Sequence, residues 1–259
     1  MRRSKAMARI RAGEPVRMCV LGHYVPAYVK LAAHQGFDCI WLDLEHRELD
    51  VREVQALLAY FHLADIDCLL RVPTREKTRL YRYLEDGATG LMIPLVNTPE
   101  EAQSLVNSVK FPPIGERGLD GAGLDADYHV TQAEGFVEAA NRETFLVVQI
   151  ETPEAVENVD KIAAVKGLDG LFVGPGDLGL RLKHLSSPPF DLPGAVERVA
   201  AAAKRHGKAW GMPAMSAENL RQLTAMGGQL VNWGSEFAAM RTMLANSWND
   251  WQAASGKKA

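Results

Sequence analysis

Cysteine is scarce: there are three in 259 residues, Cys19, Cys39 and Cys68, each inside an apolar run and none in a CxxC pair. That pattern excludes a disulfide framework and a zinc knuckle; it suits core thiols in a reducing compartment, so a cytoplasmic location is expected. No uninterrupted apolar stretch approaches the roughly 18 to 20 residues that span a bilayer. The N-terminal MRRSKAMARIRAGEPV is basic but has no apolar segment of signal-peptide length, and reads as a short helix before the first strand. An excess of positive charge is also lacking. With 29 Lys+Arg against 32 Asp+Glu the formal net charge is −3, so no basic field exists for a nucleic acid or an anionic lipid surface, and neither partner is expected. The GxxxxGK[ST], HExxH and GxSxG signatures are absent, which removes the P-loop, zincin and α/β-hydrolase chemistries that depend on them. No HxH pair is present for a zinc-hydrolase barrel.

What is present is the composition of an ordinary packed protein, 47% apolar and 24% charged. Length alone admits two modest domains or one large one. Eight short apolar runs, at 16–21, 38–43, 67–72, 90–94, 145–150, 168–174, 208–213 and 229–233, alternate with segments of helical spacing at 51–64, 77–86, 98–109, 154–163, 194–206 and 217–226. Several of these runs are continuously apolar, as strands buried on both faces are. Eight strand-helix units predict a single (β/α)8 TIM barrel over 1–259, an α/β fold, with an open doubly wound sheet as runner-up. Residues after about 244 read as a C-terminal helical extension, with the final SGKKA frayed. About 50 residues separate Pro94 from Phe145, an excursion expected beside the active face.

In such a barrel, side chains at strand C-termini converge on one mouth. The second strand ends in Asp43, Glu45 and His46, the third in Arg71, the fifth in Gln149 and Glu151, and the sixth runs into Gly174-Pro175-Gly176-Asp177. Glu151 and Asp177 follow consecutive strands; two carboxylates brought together repel, and a divalent cation relieves the repulsion, although either could instead serve a helix N-terminus. Arg71, ending the run CLLRVP, needs an anion, either a local carboxylate or a substrate oxyanion. His46 suits proton transfer or is a solvated loop histidine, and His23 after the first strand invites the same question with less support. The stretch 174–179 matches GxGxxG, but it lies in the sixth unit and Asp177 stands where a pyrophosphate should approach, against dinucleotide binding.

At these residues the chain resembles the HpcH/HpaI aldolases, the metal-dependent class II pyruvate aldolases. The matching segments are GFDCIWLDLEHRELD (36–50), LLRVP (69–73), LEDGATGLMIPLVNTPEEA (84–102), PPIGERG (112–118), LVVQIETPEAVENVD (146–160) and GLDGLFVGPGDLG (167–179). The resemblance implies a (β/α)8 barrel in which Glu151 and Asp177 hold Mg²⁺, Mn²⁺ or Co²⁺, Arg71 and Gln149 meet a 2-oxo acid, and backbone amides around Gly176 and Asp177 hold its carboxylate. It further implies that His46 handles protons with help from Asp43 and Glu45. Glu85, with Asp86 one step away, falls where relatives place a carboxylate serving the histidine of an adjacent subunit. A homo-oligomer, a hexamer built as a trimer of dimers with exchanged C-terminal helices, is implied as well. The implied reaction is reversible cleavage of a 4-hydroxy-2-oxo acid to pyruvate, or a close 2-oxo acid, and an aldehyde through a metal-bound enolate. The alternatives are a related lyase or decarboxylase acting on another 2-oxo acid or a CoA thioester, and a non-catalytic 2-oxo acid binding barrel. Gly-Pro-Gly-Asp-Leu-Gly replaces the common Gly-Pro-Ala-Asp-Leu-Ser, LDGAGLDADYH follows the Gly-Glu-Arg-Gly segment, and LVNWGSEF forms an unusual last strand and turn.

Overall fold

The computed structural model describes residues 1–130 and 134–255. In chain order its elements are α1 (Lys5–Arg11), β1 (Met18–Leu21), α2 (Pro26–Gln35), β2 (Cys39–Asp43), α3 (Val51–Leu63), β3 (Asp67–Arg71), α4 (Lys77–Glu85), β4 (Gly90–Ile93) and α5 (Pro99–Val109). A 3-10 segment (Leu124–His129) precedes α6 (Phe136–Glu143), β5 (Phe145–Ile150), α7 (Pro153–Glu157), α8 (Val159–Ala163), β6 (Gly170–Val173) and α9 (Pro175–Lys183). The chain continues through α10 (Leu192–His206), β7 (Ala209–Gly211), α11 (Ala217–Ala225), β8 (Asn232–Ser235) and α12 (Glu236–Ser255). The helix starts follow local chemistry. Asp50, Thr98, Thr152, Asp191 and Ser216 each accept an N–H of the first turn, satisfying donors that have no partner within the helix.

The eight strands form one parallel sheet in the order β7-β6-β5-β4-β3-β2-β1-β8. Parallel strands need crossovers, and the helices provide them, covering the outer face. Alternation along each strand then divides the buried residues in two. Ile40, Leu42, Cys68, Leu70, Leu91, Ile93, Leu146, Val148, Ile150, Leu171 and Val173 pack outward against the helices. Met18, Cys39, Trp41, Leu69, Met92, Phe145, Val147, Phe172 and Leu230 pack on the other face, with Ala6 and Met7 of α1 closing its lower end. The ends of the strand order come together at a short seam rather than a full ladder. Pro213 bridges Asn232, Ala214 N–H donates to Asn232 O at 3.0 Å, and the Gln229 and Leu230 amides donate to Trp210 O at 2.8 and 2.9 Å. Gly211 is required there, because a Cβ would collide with the Leu230 backbone.

The expected strand number, direction and alternation with helices are therefore found. The expected helix at 154–163 is two short ones, broken at Asn158, and the last strand sits two to three residues later than predicted. Residues 175–183, which include most of the GxGxxG match at 174–179 and fall outside the segments of helical spacing, form α9. The C-terminal helix is continuous from Glu236, so no boundary falls near 244; of the expected frayed end, residues 256–259 lie outside the described residues.

Candidate active site

Strand parity assembles the site. On β2 the inward positions Cys39 and Trp41 are followed by Asp43; on β3 Leu69 is followed by Arg71; on β5 Val147 is followed by Gln149 and then Glu151. All four polar side chains are buried. A buried guanidinium is costly unless paired, and Arg71 is paired on every side. Its Nε donates to Asp43 Oδ1 at 2.8 Å and Nη2 to Asp43 Oδ2 at 2.7 Å, a bidentate pair. Nη1 lies 2.8 Å from Glu45 Oε2 and 3.4 Å from Gln149 Oε1, and the guanidinium carbon stands 4.6 Å from the Trp41 ring centroid. Of the two sequence readings of Arg71, the structure shows the local carboxylates, Asp43 and Glu45, at the C-terminal end of the strands.

Glu151 continues the network. Gln149 Nε2 is 3.3 Å from Glu151 Oε2, and Glu151 Oε1 accepts the Leu95 N–H at 2.7 Å. Leu95 is held at φ 57°, a left-handed conformation that costs a leucine roughly 1–2 kcal/mol and that aims its N–H at the carboxylate. Burial raises the Glu151 pKa above the ordinary 4.5, the Leu95 N–H and Arg71 pull it back, and the nearby Glu45 and Asp177 charges push it up again; the net shift is upward. Gly174 accommodates this carboxylate, since a Cβ there would lie 2.8 Å from Glu151 Cβ and collide with the carboxylate oxygen.

α9 opens with Pro175, which has no N–H, and its first helical bond runs from Leu178 N–H to Gly174 O. The Gly176 and Asp177 amides are left without helical acceptors, as at any helix N-terminus, and nothing lies within 4 Å of the place a Gly176 Cβ would take. The Asp177 carboxylate is exposed and makes no hydrogen bond or ion pair with the described residues. Glu151 and Asp177 offer hard oxygen donors that repel one another, a set that fits a cation keeping several waters. Among the described residues no group of three or more His, Cys, Asp or Glu forms a complete metal cage.

His46 lies on the rim, its side chain 58% exposed, with Nε2 3.8 Å from Glu45 Oε2. Asp43 does not reach its ring; Asp43 Oδ1 instead accepts the Glu45 N–H at 3.0 Å and lies 3.5 Å from the His46 N. Asp43 therefore shapes the turn that presents His46. Glu85 is apart from this cluster, lining a cavity of 420 Å³ with Gln55, Asp86, Asp120, Gly123 and Tyr128, and burial pushes its carboxyl upward. Sequence reasoning missed Leu95, whose strained backbone leaves no compositional trace, and undervalued Glu45 and Trp41, which complete the shell around Arg71.

A parallel α/β sheet whose strand C-termini gather a buried guanidinium, an amide and several carboxylates has the place and the polar groups of an enzyme active site. The chain belongs to the HpcH/HpaI aldolase/citrate lyase family, whose model matches residues 18–242. It is similar to a hydroxypyruvate/pyruvate aldolase of Roseovarius nubinhibens, at 31% identity over 89% of this chain and 87% of that one. A 5-keto-4-deoxy-D-glucarate aldolase of Shigella dysenteriae is 35% identical over 84% of each chain. Among solved structures, an HpcH/HpaI aldolase from Desulfitobacterium hafniense superposes with a TM-score of 0.86 at 30% identity, covering 95% of each chain. The chain is an aldolase of this family, a carbon–carbon lyase.

Proposed function

We propose that this aldolase reversibly cleaves a 4-hydroxy-2-oxo acid to pyruvate, or a close 2-oxo acid, and an aldehyde, in a divalent-metal-dependent reaction. The observation that carries this reading is the fixed Arg71 guanidinium set between Asp43, Glu45 and Gln149 beside the buried Glu151 carboxylate. The names of the similar aldolases, which include pyruvate and hydroxypyruvate, support it. Glu151 and Asp177 would hold Mg²⁺, Mn²⁺ or Co²⁺, which would supply Lewis-acid polarisation of the 2-oxo group.

The chain's own residues do the rest. Gly176 and Asp177 amides donate to the substrate carboxylate. Arg71 and the Gln149 amide meet the 2-oxo oxygen, where negative charge develops as the C3–C4 bond breaks. His46 takes the proton of the 4-hydroxyl, the aldehyde leaves, and the electron pair passes to C3, which is conjugated with C2; return of a proton to C3 gives the 2-oxo acid. Exchange of the pyruvate methyl protons in deuterated water, followed by NMR, tests this half-reaction without any aldehyde. Exchange that disappears on chelation and returns with Mn²⁺ is expected. Full exchange after exhaustive chelation would falsify the metal-dependent scheme.

The same reading includes a cytoplasmic homo-oligomer and a barrel closed at the β7–β8 seam. Support comes from three buried free thiols, from the seam hydrogen bonds and from α12. Among the described helices none is long and apolar enough to cross a membrane, yet α12 exposes Met240, Met243, Leu244, Trp248 and Trp251. An apolar helix left bare on one chain is covered by another. Wild-type protein is expected to run as a hexamer in light scattering, and Trp248→Glu with Trp251→Glu to run as a smaller species. A monomeric wild type overturns the assembly.

A further inference from the structure

A second imidazole at the mouth is held by a buried carboxylate. Glu236, the first residue of α12, is 4% exposed in its side chain, and its Oε1 accepts the Gly22 N–H at 2.8 Å and lies 2.7 Å from His23 Nδ1. A carboxylate oxygen accepts, so the facing His23 Nδ1 is the donor, and Nε2, the ring nitrogen turned away from Glu236, is the one left to a ligand. Glu236 Oε2 has no hydrogen-bond partner among the described residues, so nothing competes to turn the carboxylate away. The ring is 46% exposed and stacks on Phe237 with centroids 6.0 Å apart, which restricts its rotation without covering it. The loop that carries His46 packs directly beside this pair. A Cβ on Gly22 would lie 3.1 Å from Arg47 Cγ and Nε and 3.4 Å from Glu236 Oε1, and Arg47 Nη1 donates to His46 O at 2.6 Å.

Strand order gives the pair its place along a substrate. In the proposed reaction, on which this inference rests, the substrate carboxylate is at the start of α9 after β6, the 2-oxo oxygen is between β3 and β5, and the 4-hydroxyl is at His46 after β2. The next strand beyond β2 is β1, which pairs with β2 on one side and β8 on the other. Carbons beyond C4, which become the body of the aldehyde, therefore extend toward the β1 and β8 ends, where His23 and Glu236 stand. One more buried polar atom lacking a partner among the described residues, Trp41 Nε1, belongs to β2, where Trp41 is in register with Val20 of β1.

We infer that His23, oriented by Glu236, binds the aldehyde half of the substrate through a hydroxyl group on the carbon next to the carbonyl, making this enzyme selective for α-hydroxy aldehydes. The hydroxyl donates to Nε2 of His23; Glu236 is the positioning residue. The test uses two aldehydes of similar size, glycolaldehyde and propanal, each condensed with pyruvate by the full-length metal-loaded enzyme. Wild type is expected to favour glycolaldehyde in kcat/KM by about tenfold, the scale of one hydrogen bond. His23→Leu is expected to erase that preference, chiefly through a higher KM for glycolaldehyde, with Glu236→Gln lowering it in part and His23→Gln, which keeps an acceptor, retaining some of it. A purely structural latch between β1 and α12 would slow both aldehydes equally, and that result, or an unchanged preference in His23→Leu, overturns the inference. A wild-type preference for propanal overturns it too. Pyruvate proton exchange by the wild type separates the two levels: exchange with a His23-independent preference refutes this inference alone, whereas absence of exchange removes the underlying reaction and the inference with it.

Discussion

Arg71→Ala is expected to lower kcat by roughly 10²–10³-fold, the effect of deleting one preorganised donor to a developing oxyanion. Arg71→Lys is expected to recover little of this, because a single ammonium cannot reproduce the bidentate grip on Asp43 while reaching Glu45 and Gln149. The alanine variant also leaves Asp43 buried without its partner, a loss of about 3–5 kcal/mol of stability where both members are as enclosed as these. The pH dependence separates this from a simple packing defect. Burial raises the Asp43 carboxyl, but the hydrogen bonds and charge of Arg71 outweigh it and hold the group below its ordinary 3.8. A depressed carboxyl contributes stability that is present above its unfolded value and is lost as pH falls through its folded value. Denaturant curves should therefore show the full gap between wild type and Arg71→Ala near neutrality, narrowing below pH 3.8. A gap that stays constant with pH would show that the pair contributes nothing electrostatic.

The second large effect lies at the opposite end of the same strand. Asp67, the first residue of β3, is fully enclosed and gathers the N-terminal segment: Arg2 Nη2 donates to its Oδ1 at 2.6 Å, and Ser4 Oγ and the Ala6 N–H donate to Oδ2 at 2.6 and 2.7 Å. Ser4 in turn caps α1 by accepting the Met7 N–H, and Ala6 and Met7 fill the lower end of the inner core. Burial pushes the Asp67 carboxyl up despite these donors, so the group is held at a cost that its contacts offset only while they are complete. Asp67→Ala leaves the Ser4 hydroxyl and the Ala6 amide without their buried acceptor and removes the enclosed carboxylate from Arg2, whose guanidinium keeps Asp65 and the Ile66 carbonyl. The expected loss is about 3–5 kcal/mol, a fall in Tm on the order of 10 °C, with catalysis by the folded fraction unchanged. Hydrogen exchange should show α1 released first; a variant as stable as wild type, with α1 still protected, would mean that the helix is anchored by its apolar contacts alone.

Much of the site was legible because parity is a property of sequence. Once β2, β3 and β5 are recognised, Asp43, Arg71, Gln149 and Glu151 follow Trp41, Leu69 and Val147 at steps of two and must share a face. That Glu151 and Asp177 follow consecutive strands could be read from the order of the units, although Asp177 itself lies in the first turn of α9. Boundaries were less legible where local propensity was silent. The glycine-rich stretch 174–179 shows no helical spacing of its own, but the segment from Pro175 onward is helical because the proline starts the helix and Leu178 and Leu182 bury beneath it. The last strand is displaced from its apolar run because the amides of Gln229 and Leu230 are drawn to Trp210 across the seam.

The sequence by itself determined the alternation of eight strands with helices, the side of the sheet on which the polar strand ends meet, and the family to which those motifs belong. Tertiary structure alone decided which of those polar groups bond to one another. Asp43 serves Arg71 and the turn rather than the His46 ring, a left-handed Leu95 holds Glu151, and Glu236 reaches back 213 positions to fix His23. Periodicity is written locally, at intervals of two or about 3.6 residues. A hydrogen bond between strand ends depends on how far the sheet curls and where each loop returns, which only the packed chain settles.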